Sequence, residues 1–169
     1  MSRSGYCDDD IDQWGYICWR GQVASAMRGK RGQAFLLEMW KAMQALPAHR
    51  LTANELANEY DGAVCAIGSV GKARGVDMSK LDPEDYEGIA YAFGIPYQLA
   101  QEIMYLNDEV ERGEYVDAYG PPSPYRYGGV CVFIPTTPEE RFARMKKWIE
   151  GCLRPVEDSA DSVRERDGE

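Results

Sequence analysis

Histidine and paired cysteines, the usual ligands of structural metal sites, are scarce in this sequence of 169 residues. There is a single histidine, His49, and the cysteine spacing contains no C-x-x-C pair. The five cysteines are Cys7, Cys18, Cys65, Cys131 and Cys152. A structural zinc site needs about four nitrogen or sulfur ligands at short spacings, so we predict no metal site and no cofactor. An odd number of cysteines cannot close into a complete disulfide framework, which favours a reducing cell interior.

Long apolar stretches are also missing. No segment approaches the roughly 20 apolar residues that cross a bilayer, and residues 1–12 lack the apolar core of a secretory signal. We therefore expect a cytoplasmic protein, in the interior of its host cell, that makes no membrane contact. Basic residues are outnumbered, because 19 lysines and arginines face 28 acids and leave a net charge of -9. Such a charge disfavours contact with nucleic acid phosphates and favours a basic protein partner.

The composition divides the chain into three parts. Residues 155–169 contain six acids, two arginines and almost no apolar side chains. Such a segment cannot bury enough apolar surface to offset the entropy lost on ordering, so we predict a disordered acidic tail. Residues 1–12 are predicted to be a flexible acidic N-terminus. Residues 13–154 have the composition and length of one ordinary domain, which we predict to be helical.

Apolar residues recur at intervals of three and four in the first part of this domain, as the buried face of a helix does. Residues 19–27 and 35–46 form two such stripes. They belong either to two helices or to one long helix interrupted at Gly29 and Gly32. Pro47 follows the second stripe and is predicted to end it.

Three later helices have recognisable ends. Asp82, which precedes a proline, is predicted to begin a helix that ends at Gly94. Pro96 begins the next helix, and the two form a tight helix-turn-helix. Thr137 and Glu140 have the spacing of a capping box, in which each residue satisfies a backbone N–H of the other, and they begin the last helix.

Weaker patterns lie between these helices. Thr52 and Glu55 also have the capping-box spacing and predict a short helix toward Tyr60. Residues 63–74 are either a closely packed helix or a buried strand, and we favour the helix. A proline-rich run excludes helix before residues 130–134, which are β-rich. Together the patterns predict a mainly α fold, a compact bundle of five to six helices with one small β-hairpin or strand and the acidic tail.

One cluster of cations stands out, because Arg28, Lys30 and Arg31 lie where a helix would begin and oppose its dipole. In one interpretation the intervening glycines let the backbone approach an anion such as a phosphate, and Lys72 and Arg74 join the same anion-binding patch. In the other, the helix continues through the cluster or the charges are simply solvated. Neither residues 28–32 nor residues 71–75 have the glycine and Lys-Ser/Thr pattern of a Walker loop.

A second set of candidates comprises residues that would contact a partner protein. Aromatic side chains near a chain terminus can anchor a partner, although they are also common in cores. The acidic stretch 108–117 would complement a basic partner and speed the encounter. The predicted partner-binding residues are Trp14, Tyr16, Asp108, Glu109, Glu111, Glu114 and Asp117.

Other familiar sites lack residues that they need. The helix that begins at Pro96 resembles a DNA-reading helix in spacing, but it has no lysine or arginine for phosphate and base contacts. Asp8, Asp10 and Asp12 alternate like calcium-loop ligands, but the glycine and the final glutamate of that loop are absent. His49 has no serine or cysteine beside it in a recognisable elbow. We therefore predict no catalytic residue and no enzymatic activity.

Four short segments carry a resemblance to a known family. They are RSGY at 3–6, RGKRGQAF at 28–35, VCAIG at 64–68 and TPEER at 137–141. The chain resembles, over most of residues 1–154, a family of small phage and prophage accessory proteins with no established activity. The resemblance implies a setting in which proteins of this size bind and redirect a host protein.

Two functions are therefore expected as alternatives. The first is a non-enzymatic phage or prophage accessory protein that binds a host or phage protein, such as a defence or nucleic-acid-processing factor. The second is a module that binds a phosphate-bearing ligand or nucleic acid through Arg28, Lys30 and Arg31.

Overall fold

A computed structural model describes residues 13–108, 112–116, 130–134 and 136–154. Over these ranges the chain is mainly helical, as predicted. The described part contains six α-helices and a 3-10 turn at Met78–Lys80; the α-helices are α1 (Gln13–Arg28), α2 (Lys30–Gln44), α3 (Ala66–Arg74), α4 (Tyr86–Phe93), α5 (Tyr97–Asp108) and α6 (Pro138–Cys152). None of them has the length and apolar character that crossing a membrane requires.

The first two apolar stripes, predicted to form either two helices or one interrupted helix, form two helices that are separated at Gly29. The Gly29 N–H donates to the Ser25 carbonyl and closes α1, while the Gly29 carbonyl accepts from Gln33 and opens α2. Gly32 lies inside α2 and packs so closely on α1 that a Cβ atom there would overlap the carbonyl oxygen of Ala26. The structure thus gives two helices, with Gly32 as the contact point between them.

The core forms where α2 and α5 each pack against several other helices. α2 contacts α1, α3 and α6, and α5 contacts α1, α3, α4 and α6. Each fully buried Leu, Ile, Val or Met side chain stabilises the fold by about 1.5–3 kcal/mol. The largest fully buried side chains are Leu36, Met39, Met43, Leu51, Ile67, Val70, Ile89, Leu99, Ile103, Asn107, Met145 and Ile149.

The helix-turn-helix of α4 and α5 begins later than the sequence indicated. The helix predicted from Asp82 starts at Tyr86, because Asp85 is its cap and accepts a hydrogen bond from the Gly88 N–H at 2.9 Å. Asp82 instead closes a separate turn. Gly94 ends α4 in the left-handed conformation (φ 68°), as predicted.

The prediction of a short helix from Thr52 toward Tyr60 is wrong. The Thr52 hydroxyl does donate to the Glu55 carboxylate at 2.8 Å, but Asn54 takes a positive φ of 61° that interrupts any helix. The backbone of this segment bonds to the chain beyond it: the Thr52 N–H donates to the Val64 carbonyl at 3.0 Å. Residues 63–74, left between helix and strand, contain an isolated bridge followed by α3.

The predicted capping box at the start of α6 is confirmed. The Thr137 hydroxyl accepts from the Glu140 N–H at 3.2 Å, and the Glu140 carboxylate accepts from the Thr137 N–H at 2.9 Å. The face of α6 that packs on the core contains the buried side chains of Phe142, Met145 and Ile149.

Two short strands complete the described part of the chain. β1 (Arg112–Val116) pairs antiparallel with β2 (Val130–Ile134), with Glu114 opposite Val132. The residues between them lie outside the described ranges, so the predicted hairpin stays a prediction. The flexible N-terminus at 1–12 and the acidic tail at 155–169 also lie outside them.

Candidate binding surfaces

Three of the five predicted anion-binding cations lie together at the start of α2. Arg28, Lys30 and Arg31 are all exposed. The residue that caps α2, Gly29, has no side chain to bind the first N–H groups of the helix. Arg31 lines a shallow hollow of about 380 Å³ that we call the α2-start hollow. Its other lining residues are Gln22, Ser25, Ala26, Gly29, Gly32, Pro96 and Gln98.

Arg74 has a different environment from these three. Its guanidinium donates two hydrogen bonds to Glu38, at 2.7 and 2.6 Å, and a third to the Phe93 carbonyl at 3.0 Å. The guanidinium also lies over the Phe35 ring, 5.7 Å from its centre. The hydrogen bond from Arg74 lowers the pKa of the Glu38 carboxyl. Arg74 therefore joins α2, α3 and the end of α4.

Lys72 is separated both from the cations at the start of α2 and from Arg74. Its Nζ is 3.4 Å from the Gly62 carbonyl oxygen, and it lines a hollow that contains neither Arg31 nor Arg74. The five predicted cations are thus divided among three environments. That division depends on which residues of distant segments meet them, which sequence spacing does not indicate.

The predicted partner residues include one strongly exposed aromatic side chain. Trp14 is 69% exposed, and Ile17, which is not among the predicted contact residues, is 52% exposed. We call these two the apolar pair. The structure describes the helix of Tyr16 and the strand of Glu114 but not their side chains. Glu109, Glu111 and Asp117 lie outside the described residues.

Asp108 is half-buried and bonded within the chain. Its Oδ1 accepts hydrogen bonds from the Asn54 N–H at 3.0 Å and from the Asn107 side-chain amide at 2.6 Å. Asp108 therefore stabilises residues 45–54, which we call the segment after α2.

Asn107 and Arg141 form a buried polar cluster at the end of α5. The Asn107 Oδ1 accepts from the Ala66 N–H at 3.2 Å, and its Nδ2 donates to the Thr52 carbonyl at 2.9 Å. Arg141 donates to the carbonyls of Asn107 and Leu51, both at 2.8 Å. A buried cation is tolerated when its donors are satisfied, and here it also faces the negative end of the α5 dipole.

Arg144 extends this polar cluster toward the protein surface. Its guanidinium lies 3.2 Å from the carbonyl oxygens of Leu106 and Asn107 and from the Thr136 hydroxyl. Burial lowers the pKa of Arg144, with the charge of Arg141 acting in the same direction. The cluster ties α5, α6 and the segment after α2 together.

The buried Cys65 thiol caps α3 by accepting from the Gly68 N–H at 3.2 Å. Burial raises its pKa to about 12. The thiol is therefore protonated near neutral pH and has a structural role. Across the described ranges, no three His, Cys, Asp or Glu side chains come together as a metal site would require.

Comparison with known proteins adds no family to this description. No known family matches the chain, and neither a curated protein nor a solved structure shows significant similarity to it.

Proposed function

We propose that this chain is a non-enzymatic phage or prophage accessory protein that binds a host or phage protein through the exposed face of α1. The observation that carries the proposal is the apolar pair. Trp14 and Ile17 are three residues apart, so they are neighbours on one side of the helix, while Trp19 and Val23 on the other side are buried in the fold. Adjacent exposed apolar side chains, tryptophan above all, are typical of binding surfaces.

The charge of α1 differs from the charge of the whole chain. The helix contains Arg20 and Arg28 and no acid, whereas the chain carries -9. The helix itself thus offers the apolar pair and positive charge, and the acids lie elsewhere in the chain and act at longer range. In this proposal they attract a basic partner and raise the association rate, while the apolar pair supplies the affinity. The proposed target class is a defence or nucleic-acid-processing factor.

The test is a quantitative capture experiment with three tagged proteins in infected-cell extract. They are the wild type, a Trp14→Ala/Ile17→Ala double variant, and Tyr91→Ala as the matched control, since Tyr91 is an almost fully exposed aromatic residue on α4. A protein partner should be recovered equally with wild type and control. Loss of an aromatic anchor weakens binding by roughly 2 kcal/mol, so the double variant should recover about thirtyfold less. Equal recovery with all three proteins would contradict the proposal.

A second candidate is a module that binds a phosphate-bearing ligand or nucleic acid at the start of α2. The observation that favours it is the first turn of α2, where exposed Lys30 and Arg31 adjoin helix N–H groups without a side-chain cap. Inorganic phosphate, a nucleotide and a short duplex would each be tested by thermal shift. A stabilisation that is lost in Lys30→Gln/Arg31→Gln and kept in Lys80→Gln/Lys147→Gln, which removes the same charge, would support this candidate. No shift with any of the three ligands would contradict it.

A further inference from the structure

A second hollow, of about 350 Å³, lies between the segment after α2, the turn at residues 61–64 and the first residue of α6. Its volume lies in the lower part of the range typical of small-molecule sites, roughly 300–1,000 Å³. Two of the apolar side chains that line it, Leu51 and Val64, are themselves buried. We call it the Arg50–Lys72 hollow, after the two cations among its lining residues.

Hydrogen bonds between backbone groups fix the walls of this hollow to one another. The Leu51 N–H donates to the Pro138 carbonyl at 3.1 Å, and the Thr52 N–H donates to the Val64 carbonyl at 3.0 Å. The Leu51 carbonyl accepts from the buried Arg141 at 2.8 Å. The segment after α2 is thus anchored both to Val64, just before α3, and to α6. A ligand entering here would not have to order these walls, which removes one of the usual costs of binding.

The charge of the hollow is opposite to that of the protein. Arg50 and Lys72 contribute two positive charges and Asp61 one negative charge, so the lining carries 2 − 1 = +1 on a chain of net charge -9. The Asp61 carboxylate accepts a hydrogen bond from the Ala63 N–H at 2.9 Å, which holds part of its charge against the backbone of the turn.

Both cations can exchange their present partners at little cost. Arg50 lies 2.9 Å from the Glu139 carboxylate, but both side chains are more than half exposed. Exposed ion pairs of this kind contribute little stability, because water screens them and ordering the side chains costs entropy. Lys72 donates to the Gly62 carbonyl at 3.4 Å, a long distance for a hydrogen bond.

We propose that the Arg50–Lys72 hollow binds a small amphipathic anion, a molecule with one carboxylate or phosphate group on an apolar body. The apolar body would lie against Leu46 and Pro138, two lining apolar side chains that remain partly exposed. The anionic group would bridge the two cations, with the planar guanidinium of Arg50 donating two parallel hydrogen bonds. This site uses neither the apolar pair of α1 nor the start of α2. A negative result here would therefore leave both proposed functions unaffected, and failure of those functions would leave this site unaffected.

The test is a titration of the isotope-labelled full chain followed by amide NMR. The probes are 3-phenylpropionate and phenyl phosphate, with 3-phenylpropanol as the uncharged match and inorganic phosphate as the match without an apolar body. Both amphipathic anions should shift the Ala63 and Val64 amide signals. Arg50→Gln and Lys72→Gln should each weaken binding about tenfold, as expected for loss of a charge-assisted hydrogen bond. Lys80→Gln, an exposed cation paired with Asp77 elsewhere, should bind like the wild type.

Two further variants keep the experiment decisive. Lys72→Arg retains the charge and should restore most of the affinity, and Ala48→Leu should obstruct the hollow while leaving both cations in place. A spectrum as well dispersed as that of the wild type shows that each variant is folded. The proposal is overturned if neither amphipathic anion shifts these signals, or if binding is equal in the wild type and both glutamine variants. It is also overturned if 3-phenylpropanol or inorganic phosphate binds as tightly as the amphipathic anions.

Discussion

Arg141 and Arg74 are both held by several hydrogen bonds, but they belong to regions of different character. Arg141 is 8% exposed and donates to backbone carbonyls at the end of α5 and in the segment after α2. Arg74 is 35% exposed, and its main partner is the carboxylate of Glu38, which is 39% exposed. Arg141 donates hydrogen bonds to buried backbone carbonyls that water does not reach, whereas Arg74 forms an ion pair that water can replace.

The difference shows that hydrogen bond number is a poor guide to stability unless burial is considered. Removing a buried donor leaves its acceptors unsatisfied, at about 1–3 kcal/mol for each group that water cannot reach. Removing one member of an exposed ion pair leaves a charge that water solvates, so the expected effect is below about 1 kcal/mol. Three predictions test this contrast, in decreasing order of expected effect.

Arg141→Met is expected to be the most damaging substitution. Methionine retains the apolar stem but leaves the Leu51 carbonyl without its donor and the Asn107 carbonyl with Arg144 as its remaining side-chain donor. We expect a loss of about 3 kcal/mol in the free energy of unfolding, measured by urea denaturation. Lys147→Met, at an exposed position of the same helix, is the control and should change stability by less than about 0.5 kcal/mol. Equal effects of the two substitutions would contradict the role assigned to the buried guanidinium.

Asn107→Ala should have the second largest effect. It removes the acceptor of the Ala66 N–H, which is buried, and the donor to the Thr52 carbonyl, which is partly buried. The expected loss is about 2 kcal/mol in the same assay. Gln98→Ala also removes a side-chain amide from α5, but its bond to Gln22 is exposed, so it should cost less than about 0.5 kcal/mol. A loss below 1 kcal/mol for Asn107→Ala would show that the cluster tolerates an unsatisfied N–H.

Glu38→Gln should have the smallest effect, and that effect should depend on pH. The pKa of Glu38 is lowered in the folded protein, so its carboxylate stabilises the fold above its unfolded pKa, near 4.5. This contribution is lost as the pH falls through the lower folded value. The wild type should therefore exceed Glu38→Gln in stability by less than about 1 kcal/mol at neutral pH, and the difference should vanish in acid and shrink in high salt. A difference that persists at pH 2 would exclude the ion pair as its source.

Features of the fold that depend on neighbouring residues were predictable from the sequence. The capping box of α6, the glycine that ends α4 and the apolar stripes of α1 and α2 all follow from residues within about two helical turns of each other. The start of the helix expected from Asp82 was misplaced because the nearby Asp85 is the cap, whereas the helix expected from Thr52 failed because a distant segment supplied a competing partner. Thr52 and Glu55 have the spacing of a helix start, but the Val64 carbonyl takes the Thr52 N–H.

The candidate sites follow the same rule. The role of Trp14 as a contact residue stays a prediction, and the pattern behind it, an aromatic side chain near a chain end, is local. The ion pair of Arg74 with Glu38 joins residues 36 positions apart, so no local pattern indicates it. The Arg50–Lys72 hollow combines lining residues from 46 to 138, and its two cations are distant from each other in sequence. Only packing of the helices brings such groups together.

The contact between Gly32 and Ala26 has a consequence for the direction in which α1 points. If Gly32 were replaced by alanine, the added methyl group would overlap the Ala26 carbonyl oxygen of α1. The crossing of α1 over α2 therefore requires the smallest of all side chains at this one position. A larger side chain at residue 32 would tilt α1 and move Trp14 and Ile17 with it. The orientation of the proposed binding face is therefore set by a residue some fifteen positions away from that face.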